Sequence, residues 1–214
     1  MIFLLLFPIL SSFAQEGYPK PAGEIESIFK NNYCFPIVLN LNDKTLSLDA
    51  GGTYKLPDNK WGEWHWLPGK ISNIESKTVN YPLKNHTRIA WGPNTKTHPN
   101  QNAYDFDVPE GTPVRAMEEG LVIRIISHFD NAHSNPDLDK GNQIEILHAD
   151  GTVADYHHLK KDSQKVSLCQ KVKALDVIAQ TGNTGFSEGP HLHVEIFRPL
   201  NGKKYETIPL IFKQ

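Results

Sequence analysis

Short stretches of alternating apolar and polar residues dominate the second half of this chain. Gly120–His128 (GLVIRIISH), Asn142–Gly151 (NQIEILHADG), Thr152–Leu159 (TVADYHHL), Lys171–Gly182 (KVKALDVIAQTG) and His191–Phe197 (HLHVEIF) each read as a strand, and KYETIPLIF near the end adds another. Turn-forming runs such as DNAHSNPDLDKGN and TGNTGFSEGP separate them. No helical period of useful length is present. Closely spaced strands with turn signals predict a mainly β fold, an antiparallel sheet of sandwich or barrel-like form. In the last of the five, alternation puts Leu192, Val194 and Ile196 on one face. His191, His193 and Glu195 share the other, with Phe197 at its end.

The first half patterns differently. Met1–Gly17 holds an apolar run from Ile2 to Leu10, followed by Ser11, Ser12, Phe13 and Ala14. The run is shorter than the ~20 residues a membrane-spanning helix needs. It matches the apolar segment of a secretory leader cut after Ala14, although no Lys or Arg follows Met1. The expected organisation is a signal peptide over 1–14, an N-terminal region over 15–85 and a second domain over 86–214. In the N-terminal region, GEIESIFKNN predicts a short helix with Ile25, Ile28 and Phe29 on one side. TLSLDAGGTYKLP predicts a strand, a Gly-Gly turn and a second strand. KWGEWHWLPGK brings three of the four tryptophans together, as a small local core or as a platform for a ligand.

Composition narrows the classes. A chain of 214 residues has room for one medium domain and an appendage, with a core that needs no staples. A net charge of −2 with both signs interspersed gives no nucleic-acid surface. No later stretch is apolar enough to anchor the mature chain in a membrane. Cys34 and Cys169 can pair in an exported protein, but sequence does not show that they meet, and without C-x-x-C a four-cysteine zinc knuckle is excluded. Nothing in the sequence fixes the oligomeric state.

Ten histidines are many for this length. Asp105 and Asp107 stand before a Pro/Gly turn, on an extended segment where both point the same way, so the pattern alone does not choose between them. His98 precedes Asp105 across a polar loop short enough to fold a His and an Asp onto one ion. With His193 this makes two imidazoles and a carboxylate, a set zinc accepts while keeping a position for water. No H-E-x-x-H is present, so a helix-borne zinc plan is excluded.

Taken together, His98, AYDFDVPEGTPVRAMEEGLV, GNQIEILHADGTVADYHHL and TGNTGFSEGPHLHVEIF resemble the M23 peptidases, the lysostaphin-type, LytM-like zinc metallopeptidases that cut peptides of bacterial peptidoglycan. The resemblance runs from about residue 95 to 200. It implies a LytM-type β core with a groove, with His98, Asp105 and His193 as zinc ligands and His158 and His191 as catalytic histidines. Asp105 is preferred to Asp107 because the family's ligand opens the D-x-x-x-P-x-G-T-P-V run. His157 occupies the variable place between Tyr156 and His158. Cys169 and Leu175 stand where family members usually carry glycine, and Gly141-Asn142 matches a recurring structural turn.

The implied activity is zinc-dependent hydrolysis of peptidoglycan cross-links or bridges by an exported enzyme, periplasmic or extracellular. In that chemistry zinc lowers the pKa of water to about 7 while the two histidines move protons and hydrogen-bond the oxyanion. Two other readings predict different behaviour. A non-catalytic LytM-like regulator would bind cell wall without turnover. A carbohydrate-binding β module would stack sugars on WGEWHW.

Overall fold

The computed structural model describes residues 28–41, 43–55, 64–84, 88–133 and 141–213. The expected leader over 1–14, Ile25, Trp61 and His86 lie outside the described residues. Among the described residues there is no helix.

The N-terminal region supplies β1 (Ile28–Lys30), β2 (Ile37–Leu41), β3 (Lys44–Leu48), β4 (Thr53–Lys55) and β5 (Trp64–Pro68). Here the helix expected around Ile28 and Phe29 is instead a strand, β1, paired antiparallel with β4. The reason is tertiary: Phe29 is buried in a cluster with Tyr33, Phe35 and Trp66, and an edge partner outcompetes three residues of weak helical pattern. The two strands around Gly51-Gly52 form, but not as a hairpin with each other. β3 pairs with β2, and β2 with β5. Asn31 separates the arms, donating from Nδ2 to the carbonyls of Phe35, Leu48 and Asp49 at 2.9, 3.1 and 2.9 Å. Trp66 is buried and packs on Tyr33 with ring centroids 4.8 Å apart, so this tryptophan serves a core.

The chain continues through β6 (Lys77–Val79), β7 (Ile89–Trp91), β8 (Ala103–Asp107), β9 (Pro113–Arg115) and β10 (Gly120–Ile126). Then follow β11 (Ala132–His133), β12 (Gln143–Leu147), β13 (Val153–His157), β14 (Lys171–Val172), β15 (Val177–Gln180) and β16 (Gly185–Phe186). The last elements are β17 (His191–Asn201), β18 (Lys204–Thr207) and β19 (Leu210–Phe212). An eight-stranded antiparallel sheet runs in the order β14-β10-β12-β13-β17-β8-β7, with β18 also on β17. The expected single strand over Lys171–Gly182 is broken into β14 and β15. Leu175 takes a positive φ of 72° between them, and Cys169 takes 64°. Both are left-handed positions that glycine accepts without strain, which explains the residue usually found there.

Alternation gives the sheet two unlike faces. The back face carries Tyr104, Phe106, Ile144, Ile146, Ala154, Tyr156, Leu192, Val194 and Ile196 into the main core. Strand register organises the front face into three cross-strand rows. Leu147, Val153 and Phe197 form an apolar row, buried against Phe29, Tyr33, Phe35, Ile37, Leu39 and Trp66 of the N-terminal strands. One step along each strand stand Glu145, Asp155 and Glu195, with Arg124 bonded to Glu145 at 3.0 Å. A further step gives His157, His193 and Asp105, directly opposite one another on β13, β17 and β8. The N-terminal strands and the candidate site therefore share one face of one sheet.

A disulfide between Cys34 and Cys169, with Cα atoms 6.1 Å apart and a sequence separation of 135, ties the N-terminal strands to the β14 side. Closing so long a loop in the unfolded chain is the main source of its effect. Replacing both cysteines by serine is expected to cost about 2–5 kcal/mol, read as a lower urea midpoint with a steeper slope, because the unfolded chain is freed to expand.

A second tie lies outside the site. Lys77 is buried and its Nζ meets Asp150 Oδ2 at 2.7 Å, Glu118 Oε2 at 2.8 Å, Thr152 Oγ1 at 2.9 Å and His148 Nδ1 at 3.1 Å. Burial, then the Lys77 charge, pushes the His148 pKa from 6.5 down to about 3. The folded state therefore favours neutral His148, so its contribution is whole above pH 6.5 and is lost as the pH falls towards 3. The loss amounts to about 1.4 kcal/mol for each pH unit in that window. Urea titrations between neutral and mildly acid pH should show a shallower acid loss in His148→Gln than in the parent.

Candidate metal centre

Two of the three expected ligands are positioned by register. β8 alternates, burying Tyr104 and Phe106 behind and turning Asp105 forward. Asp105 stands opposite His193, and the His193 Nδ1 to Asp105 Oδ1 distance is 3.0 Å. His98 arrives from the loop before β8. That loop is compact: Asn94 N–H donates to the Gln101 carbonyl at 3.0 Å and His98 N–H to Thr95 at 3.1 Å. Asn94 and Asn100 have positive φ values of 55° and 62°, which asparagine tolerates. The loop sets His98 Nε2 at 3.2 Å from Asp105 Oδ2.

One ligand atom each from His98, Asp105 and His193 lie within 4.8 Å of one another. Among the described residues no other group of three such side chains meets that test. The donor chemistry fits a small cation. His98 Nδ1 faces the Gly92 carbonyl at 3.2 Å; a carbonyl only accepts, so Nδ1 carries the hydrogen and Nε2 is left with a lone pair aimed at the carboxylate. Zinc bonds of about 2.1 Å in tetrahedral array would place ligand atoms about 3.4 Å apart, near the spacings found here. Asp107, the alternative on the same face, is exposed and pairs across with His191. Asp105 is the buried one.

Electrostatics agree with an anion held among imidazoles. Burial acts to raise the Asp105 pKa, but hydrogen bonds and charge from His193 and His98 hold it well below the usual carboxylate range. Burial works against protonation of His98, yet its bond to Asp105 and that charge raise its pKa. His193 is lowered, chiefly by burial.

The two expected catalytic histidines lie beside this cluster. His158 and His191 have ring centroids 4.4 Å apart, and His158 is 6.0 Å from His193. His191 follows from alternation along β17. His158 does not: continued alternation after His157 would turn it to the back face. A φ of +59° at His158 breaks the strand and swings the ring forward. Such a conformation costs a non-glycine residue about 1–3 kcal/mol. It is held by Gly182 N–H donating to the His158 carbonyl at 2.9 Å and by Leu159 N–H donating to Asn142 at 3.1 Å.

Both rings have a fixed tautomer. His158 Nδ1 donates to the Thr184 carbonyl at 2.7 Å, and His191 Nδ1 to the Gly189 carbonyl at 2.8 Å, which leaves each Nε2 as acceptor. Burial, then the neighbouring histidines, pushes the His158 pKa well down. Asn142 is fully buried and braces the loops behind: it exchanges hydrogen bonds with Phe129, reaches the Leu159 carbonyl, and its N–H donates to Thr184 Oγ1 at 3.0 Å.

His157 is in the same row as His193 but is turned to Asp155, with Nε2 to Oδ2 at 3.2 Å. Sequence reading missed this contact and the buried acid row. Glu195 in that row is raised to about 8 by burial and by Asp155. Period-two spacing of Glu145, Asp155 and Glu195 with the site residues was the available signal.

A mainly antiparallel β-sheet thus presents two imidazoles, a carboxylate and a flanking pair of histidines on one face, a set able to hold a metal ion. The family model for peptidase family M23 matches residues 99–206, and the chain belongs to that family. The match begins one residue after His98.

Among curated relatives, the peptidoglycan DD-endopeptidase ShyA of Vibrio cholerae is 34% identical over 148 residues, covering 64% of this chain and 32% of its own length. An uncharacterised metalloprotease of Buchnera aphidicola is 34% identical over 127 residues, covering 58% of this chain and 31% of its own length. Lysostaphin of Staphylococcus staphylolyticus is 37% identical over 92 residues, covering 42% of this chain and 17% of its own length. The chain thus spans about a third or less of these relatives. A solved zinc-containing peptidase from Vibrio cholerae is 26% identical, covers 75% of this chain and 53% of its own, and superposes with a TM-score of 0.44. No helix among the described residues is long and apolar enough to cross a membrane.

Proposed function

We propose that this chain is a zinc-dependent endopeptidase that hydrolyses peptide cross-links or bridges of bacterial peptidoglycan. The observation that carries the reading is the cluster of His98, Asp105 and His193 with His158 and His191 on its flank. The name of the Vibrio cholerae endopeptidase supplies the substrate class. On this reading residues 1–14 form a leader lost on export to the periplasm or beyond, and the catalytic unit lies within 86–214.

His98, Asp105 and His193 would hold the ion. When bound, zinc supplies Lewis acidity to a carbonyl and to water. The remaining work falls to the chain. Asp105 offsets the ion's charge, and the Gly92 carbonyl fixes the His98 tautomer. His158 and His191, each with Nδ1–H committed to a carbonyl, present Nε2 towards the site. Either accepts a proton from the attacking water and, once charged, donates to the oxyanion or to the departing amine; such groups contribute about 10²–10⁴-fold each. Trp91, opposite Asp105, and Phe186, next to the Gly185 that adjoins His158, are about half exposed and offer apolar contact to a substrate.

The test is digestion of purified peptidoglycan with mass spectrometry of the products, with and without a chelator, alongside metal analysis. New amino termini that vanish with chelation and return with zinc are expected. Binding to peptidoglycan with no release of amino groups, in zinc-loaded protein, would leave a non-catalytic module instead.

A further inference from the structure

A left-handed conformation such as that of His158, at a φ of +59°, persists in a non-glycine residue only where its surroundings over-determine it. The hydrogen bonds around it show what does so. Gly182 N–H donates to the His158 carbonyl at 2.9 Å, and Leu159 N–H to the Asn142 carbonyl at 3.1 Å. The Leu159 carbonyl accepts twice, from Asn142 Nδ2 at 3.1 Å and from Thr184 Oγ1 at 2.9 Å. The Leu159 side chain is buried in the main core, so the peptide that follows His158 is a fixed platform.

Thr184 differs from the other partners because it reaches this segment in two ways. Its carbonyl accepts from His158 Nδ1 at 2.7 Å and orients the ring. Its hydroxyl donates to the Leu159 carbonyl and accepts from Asn142 N–H at 3.0 Å. Any residue offers a carbonyl. The hydroxyl sets where this one lies, and the adjoining Gly185 has no side chain to contribute. Ser187 makes a comparable bond, donating at 2.8 Å to the Gly189 carbonyl that holds His191. Ser187 is only half-buried, so water can take over its part. Thr184 is 3% exposed, and a hydroxyl lost there leaves its partners unpaired.

From this we infer that Thr184 is a positioning residue for His158: its hydroxyl holds in place the carbonyl that fixes the direction of the His158 ring and keeps the hydrogen on Nδ1, so that Nε2 faces the site. The inference rests on the peptidase reading above and adds to it a residue that acts through another. Without the hydroxyl, the Leu159 carbonyl keeps only its bond to Asn142 Nδ2, and the buried Asn142 N–H loses its acceptor. The Thr184 carbonyl is then free to shift, and the ring shifts with it. A displacement of about 1 Å at a reacting group costs on the order of 10²-fold in rate. His98, Asp105 and His193 make no bond to Thr184, so the ligand set stays whole.

Thr184→Val, which keeps the shape and removes the hydroxyl, and Thr184→Ser, which keeps the hydroxyl, are compared with the parent as zinc-loaded full chains. Metal content is measured, and kcat and KM are read on soluble muropeptides. The His158 tautomer is read from nitrogen-15 spectra, its signal assigned by its loss in His158→Gly. The valine variant is expected to retain a full equivalent of zinc, to lose about 10²-fold in kcat at unchanged KM, and to show His158 no longer fixed with its hydrogen on Nδ1. The serine variant is expected to return close to the parent in all of these. Thr184→Ala removes the same hydroxyl and replaces the valine variant if that fails to fold. Parent kcat without the hydroxyl overturns the inference. So does a loss that serine does not restore, zinc lost in step with kcat, or an unaltered His158 tautomer. No turnover by the zinc-loaded parent sinks the peptidase reading instead, and the tautomer spectra then decide by themselves whether Thr184 holds the ring.

Discussion

His193→Ala is expected to purify without metal, while His191→Ala retains a full equivalent of zinc and loses turnover by about 10²–10⁴-fold. The two residues are neighbours on one face of β17, so a general disturbance of the strand would affect them alike. Their surroundings differ. His193 Nδ1 lies 3.0 Å from Asp105 Oδ1, inside the cluster that also contains His98. The nearest nitrogen of His191 to that oxygen is at 3.9 Å, and its Nδ1–H is committed to Gly189 with Ser187 Oγ at 3.2 Å. Removing His193 leaves only His98 and Asp105 at the cluster, too few side chains to retain the ion through purification. Removing His191 deletes a proton carrier and leaves the ligand set whole. Metal analysis paired with a turnover assay checks both at once; equal metal loss in the two variants would overturn the division of roles.

His158→Gly is expected to lose turnover by about 10²–10⁴-fold while folding about as stably as the parent. The argument is conformational. At a φ of +59° histidine is strained, and glycine is not. Relief of about 1–2 kcal/mol offsets what glycine loses in chain entropy, roughly 0.5–1 kcal/mol, and the lost bond to Thr184 takes most of the remainder. His158→Ala keeps the strain and lacks the ring, so it should be the less stable of the two. The comparison needs an assay and a thermal or urea melt of each variant. A His158→Gly protein that retained full activity would remove His158 from the catalytic pair.

Much of this architecture is readable from residue order. Alternation in HLHVEIF is enough to place His191 and His193 together opposite an apolar face, and AYDFD does the same for Asp105. What alternation does not decide is burial along a face. Asp105 and Asp107 point the same way, and only the fold shows that one lies inside and the other at the open end. His158 is singled out by family likeness and not by pattern, because a single left-handed residue reverses its side and no letter records φ. The same blindness covers the split of β14 from β15 at Leu175. The carbonyls of Gly92, Thr184 and Gly189 that set three histidine tautomers belong to the backbone, which every residue carries. Pairing of Cys34 with Cys169 and the strand at Phe29 depend on contacts between distant segments, and periodicity within a window cannot see them.

The shared cluster beneath the N-terminal strands has a consequence for how such a chain can change over generations. Phe197 sits four residues beyond His193 and packs in the same cluster as Tyr33 and Trp66. A bulkier or smaller side chain at any of these places demands a compensating change in a segment more than a hundred positions away, and the strand that transmits the misfit carries His193. The two halves are thus bound to drift as one, and a front half borrowed from a cousin would disturb the chemistry without touching a single residue that performs it.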